Sequence, residues 1–243
     1  MPLPSSASII EVIFPSHVSR LWSWDAVNGF NDPHTPLQFT ARCGETLRRN
    51  IFRASMHPSG GQPTTVIIKM SHTEEEFSRL QQEAKVYDQN LRNLQGTVVP
   101  KCYGLFATNN RGTKTGCLVL EYCATAKILN LDEYRQNVRA AINKIHQAGI
   151  IHGGVGRSSH ILNTRDGVRI IDFANARRVD PKCASACEAQ CKELVILKNW
   201  LVDGQHSDDM LQTTMTSTLP AVYMHPRQSQ YADLKRSHRP ARF

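Results

Sequence analysis

The chain has 243 residues, a formal net charge of +8 and a pI near 9.3, with 40% apolar and 21% charged residues. That is enough apolar material for one two-lobed domain or two small ones, and the charged fraction is ordinary for a soluble globular protein. No stretch approaches the roughly 18 consecutive apolar residues that span a bilayer. The opening MPLPSSASIIEVIF, with no basic region and an apolar run broken by Glu11, reads as neither signal peptide nor anchor. Seven scattered cysteines fit reduced thiols, so an intracellular place, cytoplasmic or nuclear, is expected. The positive balance favours acidic partners such as nucleotides, nucleic acid or anionic surfaces without choosing among them.

Residues 1–35, rich in Pro, Ser and Trp, show no sustained period and are read as an N-terminal extension. From Leu37, LQFTARCG and LRRNIFRAS alternate as strands do, HPSGGQP is a turn, and TTVIIKM reads as a short buried strand. Phe77, Leu80, Ala84, Tyr87, Leu91 and Leu94 then recur at steps of three and four, the signature of one apolar helix face. Glu74, Glu75 and Glu76 crowd that helix's first turn, where its dipole favours negative charge. VVPKCYGLFA and TGCLVLEYC are predicted strands around the turn NNRGTK. A second helix is predicted over 131–148, with Leu131, Tyr134, Val138, Ala141, Ile142 and Ile145 as its buried face. HILN and VRIIDF, joined through Asp166-Gly167, read as a hairpin. A third helix is predicted from Cys183 to Val202, and the polar, basic sequence after Gly204 as a disordered tail.

The order of these features carries the chemistry. A lone lysine, Lys69, sits in an apolar strand; Glu83 lies on the helix that follows; a strand ends in Leu-Val-Leu-Glu-Tyr-Cys; then come a long helix, Ile-Ile-His-Gly, a hairpin and Ile-Ile-Asp-Phe. Over about residues 37–203 this series resembles the protein kinases, and most of all the short kinase-like proteins of mushroom-forming fungi. The resemblance implies an α+β, bilobal protein-kinase-like fold with a truncated C-terminal lobe: an N-lobe over 36–122, a reduced C-lobe over 123–203 and the tail over 204–243. It implies that Lys69 holds nucleotide phosphates, that Glu83 orients it, and that backbone groups of Glu121 and Cys123 bond adenine beside Leu120. Asp172 takes the place of the aspartate that binds magnesium, with Ala174 where the family has glycine. ATP and Mg2+ are the implied cofactors, a nucleotide and a protein the implied partners, and no membrane is involved.

The pattern departs from the family in the loop running from His152 to His160, which reads His-Gly-Gly-Val-Gly-Arg-Ser-Ser-His. His152 matches the family's histidine, Gly154 stands where its catalytic aspartate belongs, and His160 stands where its metal-binding asparagine belongs, with one extra residue between. Glycine has no group to accept a proton, a service worth about 10²–10⁴-fold, and imidazole suits transition metals better than magnesium. The segment 42–49, matched to the phosphate-covering loop, holds only Gly44, with Arg48 and Arg49 as alternative charges. Thr218–Pro226 only echoes the family's downstream segment, with Arg227 after it. Cys183, Cys187 and Cys191, four apart, read as a packed stripe rather than a zinc site. Lys235, Arg236, Arg239 and Arg242 lack the aromatic interleaving of a nucleic-acid surface.

The expectation is therefore an ATP-binding, catalytically impaired pseudokinase acting as scaffold or modulator. Two alternatives stand beside it: an active phosphotransferase with a divergent loop, and an interaction domain that binds no nucleotide.

Overall fold

The computed structural model describes residues 8–23, 38–59, 61–110, 113–179 and 191–203. It overturns the expected bilobal α+β fold with a truncated C-terminal lobe. The described chain is mostly β, with eleven strands and three helices, and seven of the strands close into a barrel. These seven are β1 (Ile9–Ile13), β2 (Val18–Ser23), β3 (Gln38–Arg48), β4 (Ile51–Pro58), β5 (Thr64–Ser71), β6 (Cys102–Asn110) and β7 (Thr113–Glu121). Around the barrel the order is β1-β2-β6-β7-β5-β4-β3.

The difference comes from the stretch read as an extension. β1 and β2 form a hairpin in which Ile9 faces Trp22 and Ile13 faces Val18. β1 then runs parallel to β3, Ile9 opposite Gln38, while Trp22 and Ser23 of β2 pair with Ala107 and Phe106 of β6. The hairpin thus bridges both edges of the sheet β3-β4-β5-β7-β6. Ile10 and Val12 are wholly buried and Leu21 nearly so. Period two sends them inward with Ala41, Ala54, Met56, Val66, Ile68, Met70, Phe106, Cys117 and Val119, which together fill the barrel.

The same alternation puts Leu118 and Leu120 of β7 and Leu105 of β6 on the outer face, in a second core. Helix α1 (Glu74–Gln89) lies against that face, and Phe77, Leu80, Ala84 and Tyr87 supply its buried stripe. Thr73 caps it by accepting the Glu76 N–H at 3.2 Å, and Glu76 in return accepts the His72 N–H at 2.8 Å. The second core continues through α2 (Leu131–Gln147) by way of Tyr134, Val138, Ala141, Ile142 and Ile145. Leu131, expected in that face, is exposed. The predicted hairpin forms as β9 (Ile161–Thr164) and β10 (Gly167–Ile170), while β8 (Ile150–Ile151) pairs with β11 (Arg177–Arg178). Arg169 ties the hairpin to the loop that follows α1: its buried guanidinium donates to the carbonyls of Thr97 at 2.5 Å and Gly96 at 2.8 Å. The last described helix, α3 (Lys192–Asp203), covers the end of the predicted third helix; Cys183, Cys187 and the tail lie outside the described residues. No described helix is long and apolar enough to cross a membrane.

Because Ile10 helps fill the barrel, Ile10→Ala is expected to cost about 2–5 kcal/mol, as for a large core side chain. Urea unfolding of this variant beside Leu118→Ala checks it: a loss near zero for the first alone would mean that β1 is not part of the folded barrel.

Candidate functional site

Lys69 follows Ile68 on β5. Since Ile68 and Met70 point into the barrel, Lys69 points out, onto the face covered by α1. Glu83 lies three residues after Leu80 and four before Tyr87, so it sits within the buried stripe of the helix. The two therefore meet: Lys69 Nζ donates to Glu83 Oε1 at 2.8 Å and Oε2 at 2.9 Å. The Glu83 side chain is 1% exposed and that of Lys69 13%. Burial pulls the Lys69 amine down, but Glu83 and Asp172 outweigh it and hold its pKa above the ordinary value.

Asp172 completes the cluster, with Oδ1 at 3.5 Å from Lys69 Nζ and Oδ2 at 3.3 Å from His160 Nε2. Its backbone is left-handed, φ 69°, a conformation that aspartate tolerates better than most residues. Burial alone would raise its carboxyl; Lys69, His160 and the Ala174 backbone hold it below the ordinary carboxylate value. The next residue, Phe173, is pinned from α1, because Glu83 Oε1 also accepts its N–H at 3.2 Å. Its ring stands edge-on between Tyr87 and His152, with centroids 5.4 and 4.8 Å away. Lys69, Glu83, Asp172 and the loop histidines His152 and His160, picked from four separate segments, are thus brought to one place.

The loop after β8 is built around His152, which is wholly buried. Its Nε2–H donates to the Ile171 carbonyl at 2.9 Å, and its Nδ1 accepts the Gly154 N–H at 3.1 Å. Both ring nitrogens are used, so His152 is structural. Gly153 has φ 76°, and a Cβ there would run into the Asn175 carbonyl; only glycine fits. A Cβ on Gly154 would lie 3.0 Å from His160 Nδ1 and 3.3 Å from its Cε1. His160 therefore fills the space into which an acid at 154 would project. The ring of His160 is buried, and its Nδ1 has no hydrogen-bond partner.

One residue of this site escaped the sequence reading. Glu193, in the first turn of α3, is buried; it accepts the backbone N–H groups of His152 at 3.0 Å and Gly153 at 2.7 Å and bonds His146 Nε2 at 2.6 Å. It fastens the loop to α2 and α3 together. The helix predicted from Cys183 to Val202 placed Glu193 in its interior, where a single acid reads as part of a solvated face, so nothing in the spacing marked it.

Other expected positions are less engaged. Leu120 is buried, and Glu121 is held to Lys101, its N–H donating to the Lys101 carbonyl at 2.8 Å and its Oε2 accepting the Lys101 N–H at 2.9 Å. The Cys123 thiol, pushed up to about 12 by burial and then by Glu121, is no nucleophile. Residues 42–48 belong to β3 and continue into the tight turn at Arg49–Asn50, with Glu45 paired to Arg53 at 2.8 Å. Arg157 is exposed. A small cleft beside α1, lined by Gln82, Lys85, Asn90, Arg177 and Arg178 among others, includes none of the cluster residues.

No family model matches the chain, and no curated protein matches it at a significant level.

Two outcomes follow from the burial of His160 and Glu193. Burial first, and the charges of His152, Arg157 and Lys69 after it, bring His160 down to about 4 from 6.5 against the pull of Asp172. The unfolded chain then binds a proton that the folded chain refuses, so this contribution is complete above pH 6.5 and lost as pH falls towards 4. Unfolding free energy should rise with pH across that window by up to about 3 kcal/mol, and the rise should flatten in His160→Asn. Denaturant midpoints at pH 4.5 and 7 read it. Glu193→Ala strands two N–H groups and His146 at once and should cost about 3–5 kcal/mol at neutral pH, measured by the same unfolding curves.

Proposed function

We propose that the protein binds a nucleoside di- or triphosphate at Lys69, Glu83 and Asp172 and is a catalytically impaired relative of the protein kinases, serving as scaffold or modulator rather than as a fast phosphotransferase. The observation that carries this reading is the ion cluster. A lysine ammonium is fixed by a buried carboxylate on one side and faces a second, partly exposed carboxylate on the other. Phosphate recognition needs a cation held in place before the ligand arrives, and a lysine so oriented supplies it. Ile67, on the same outward face of β5 one alternation before Lys69, gives the apolar surface a base requires. The order of motifs from Lys69 to Asp172 supports the same ancestry.

The impairment rests on the loop. Gly154 offers no carboxylate, His152 has both nitrogens engaged, and the buried Nδ1 of His160 is closed to a substrate hydroxyl. The donor set also does not fit Mg2+ as the kinase pattern would hold it. Magnesium asks for oxygen ligands in a near-octahedral shell, and here one carboxylate, Asp172, faces an imidazole instead of an amide oxygen.

ATP or ADP should raise the melting temperature of the folded protein, since a ligand of the native state stabilises by mass action. Lys69→Ala is a poor probe, because it leaves Glu83 buried without its cation, a loss of about 3–5 kcal/mol. Asp172→Asn and Lys69→Arg are better, and binding calorimetry on folded variants should show weaker affinity for each. A folded wild-type chain that gives no shift and no heat with nucleotide refutes the reading. Gly154→Asp should not restore transfer and should itself destabilise, by about 1–3 kcal/mol, because of the His160 ring. Adding His160→Asn should recover part of that loss, a coupling that a double-mutant cycle measures.

A further inference from the structure

The cleft beside α1 is a second place where charge gathers. We infer that it is a docking site for an acidic peptide segment of a partner protein, one in which aspartate or glutamate side chains flank an aliphatic residue. The inference stands apart from nucleotide binding, since none of the residues it uses belongs to the ion cluster.

The sequence of α1 makes one wall. Lys85, Val86 and Gln89 follow Gln82 at steps of three, four and seven, so the four share one helix face, beside the stripe that packs on the barrel. Strand β11 makes a second wall, with Arg177 opposite Ile151 and Arg178 opposite Ile150 of β8. Val86, Ile150 and Ala176 are buried and give the cleft an apolar floor, in a volume of about 180 Å³. Side-chain amides tie the walls together. Gln82 Nε2 donates to the Ala176 carbonyl at 3.3 Å, and Asn90 Nδ2 donates to the Ala148 carbonyl at 3.3 Å. The shape is therefore set before any partner arrives.

The charge is one-sided. Lys85, Arg177 and Arg178 line the cleft, all three are exposed, and no acid is among the lining residues. Among the described residues none of the three pairs with a carboxylate. Exposed arginines elsewhere are answered by a neighbour: Arg20 by Glu11, Arg53 by Glu45 and Arg79 by Glu75. The acids of α1 that lie next to the cleft residues in sequence are already engaged, Glu83 with Lys69 and Asp88 with Arg92. Three neighbouring cations without a counter-ion repel one another. A carboxylate-bearing ligand relieves that repulsion, and the two guanidinium groups offer paired donors to its oxygens. The apolar floor favours a peptide among anions, because it takes the methylene stem of a glutamate or a neighbouring aliphatic side chain.

The test is fluorescence anisotropy with a fluorescein-labelled peptide of three Glu-Glu-Leu repeats, beside the same peptide with glutamine for glutamate, in the absence of nucleotide. Wild type should bind the acidic peptide at least about tenfold more tightly than the neutral one. Lys85→Glu combined with Arg177→Glu should lose at least about tenfold in affinity. Arg139→Glu combined with Arg165→Glu, at two exposed arginines that do not line the cleft, should lose less than about threefold. Equal losses in the two double variants would mean attraction to net charge alone and overturn the inference, as does the lack of any preference for the acidic peptide. Tighter binding of a short single-stranded DNA, lost in the cleft variant, assigns the cleft to nucleic acid and overturns it too. Carbodiimide coupling of wild type to the acidic peptide, mapped by mass spectrometry, decides even if a variant does not fold. The new amide should form at Lys85 in preference to other exposed lysines, and its absence there counts against the inference.

Discussion

The site depends on a single buried ion pair. Lys69 projects from the barrel wall and Glu83 from the helix laid over it, and neither is stable there alone, since an unpaired charge in that core would cost several kcal/mol. Their bond fixes the position of α1 against β5. Glu83 also accepts the Phe173 N–H, so the same carboxylate positions the segment that carries Asp172. Phe173 in turn fills the gap between Tyr87 and His152, and His152 is fastened through Glu193 to both later helices. Pairing, packing and the approach of the two carboxylates to the lysine are therefore one arrangement rather than three.

The charge distribution in the cluster is fixed by burial and by the neighbouring charges. Lys69 stays protonated and Asp172 stays ionised because each favours the charged form of the other. His160, by contrast, is kept neutral by its burial. At neutral pH the site presents one fixed cation, one partly open anion and one neutral imidazole. Nothing in the loop is free to take a proton from an incoming hydroxyl. On the proposed reading, such a set would hold a phosphate-bearing ligand rather than turn it over.

Much of this was legible in the sequence, for reasons of period. Strands β3 to β7, helices α1 and α2 and the Asp-Gly hairpin follow from alternation, from the three-and-four spacing, and from turn residues. Lys69, Glu83 and Asp172 were legible as a set only through their order along the chain, and Gly154 stood out for the same reason. The barrel was not. β1 and β2 are five and six residues long, too short for periodicity to stand out, and their pairing with β3 and β6 is set by contacts distant in sequence. Because of that closure the expectation of a bilobal α+β fold fails. Leu131 was misjudged because the first turn of an amphipathic helix can overhang its core. Glu193 was hidden because its partners are backbone groups of a distant loop. The steric opposition of Gly154 and His160 is likewise spatial, invisible to a reading that treats positions one at a time.

The closure of the barrel has a consequence for how this protein can meet others. An open sheet offers a row of unpaired amides and carbonyls to which a further strand can add, in a useful complex or in an aggregate. Here β1 covers the flank of β3 and β2 meets part of β6, so among the described residues the barrel leaves little free border and a partner would engage mostly side chains and loops. The covering is uneven: the junction between β2 and β6 rests on two residue pairs, Trp22 with Ala107 and Ser23 with Phe106, whereas β6 and β7 are paired along nearly their whole length. Local opening follows the weakest set of backbone bonds, so that short junction is where amide protons of the barrel would first exchange with water and where a sticky border would first appear.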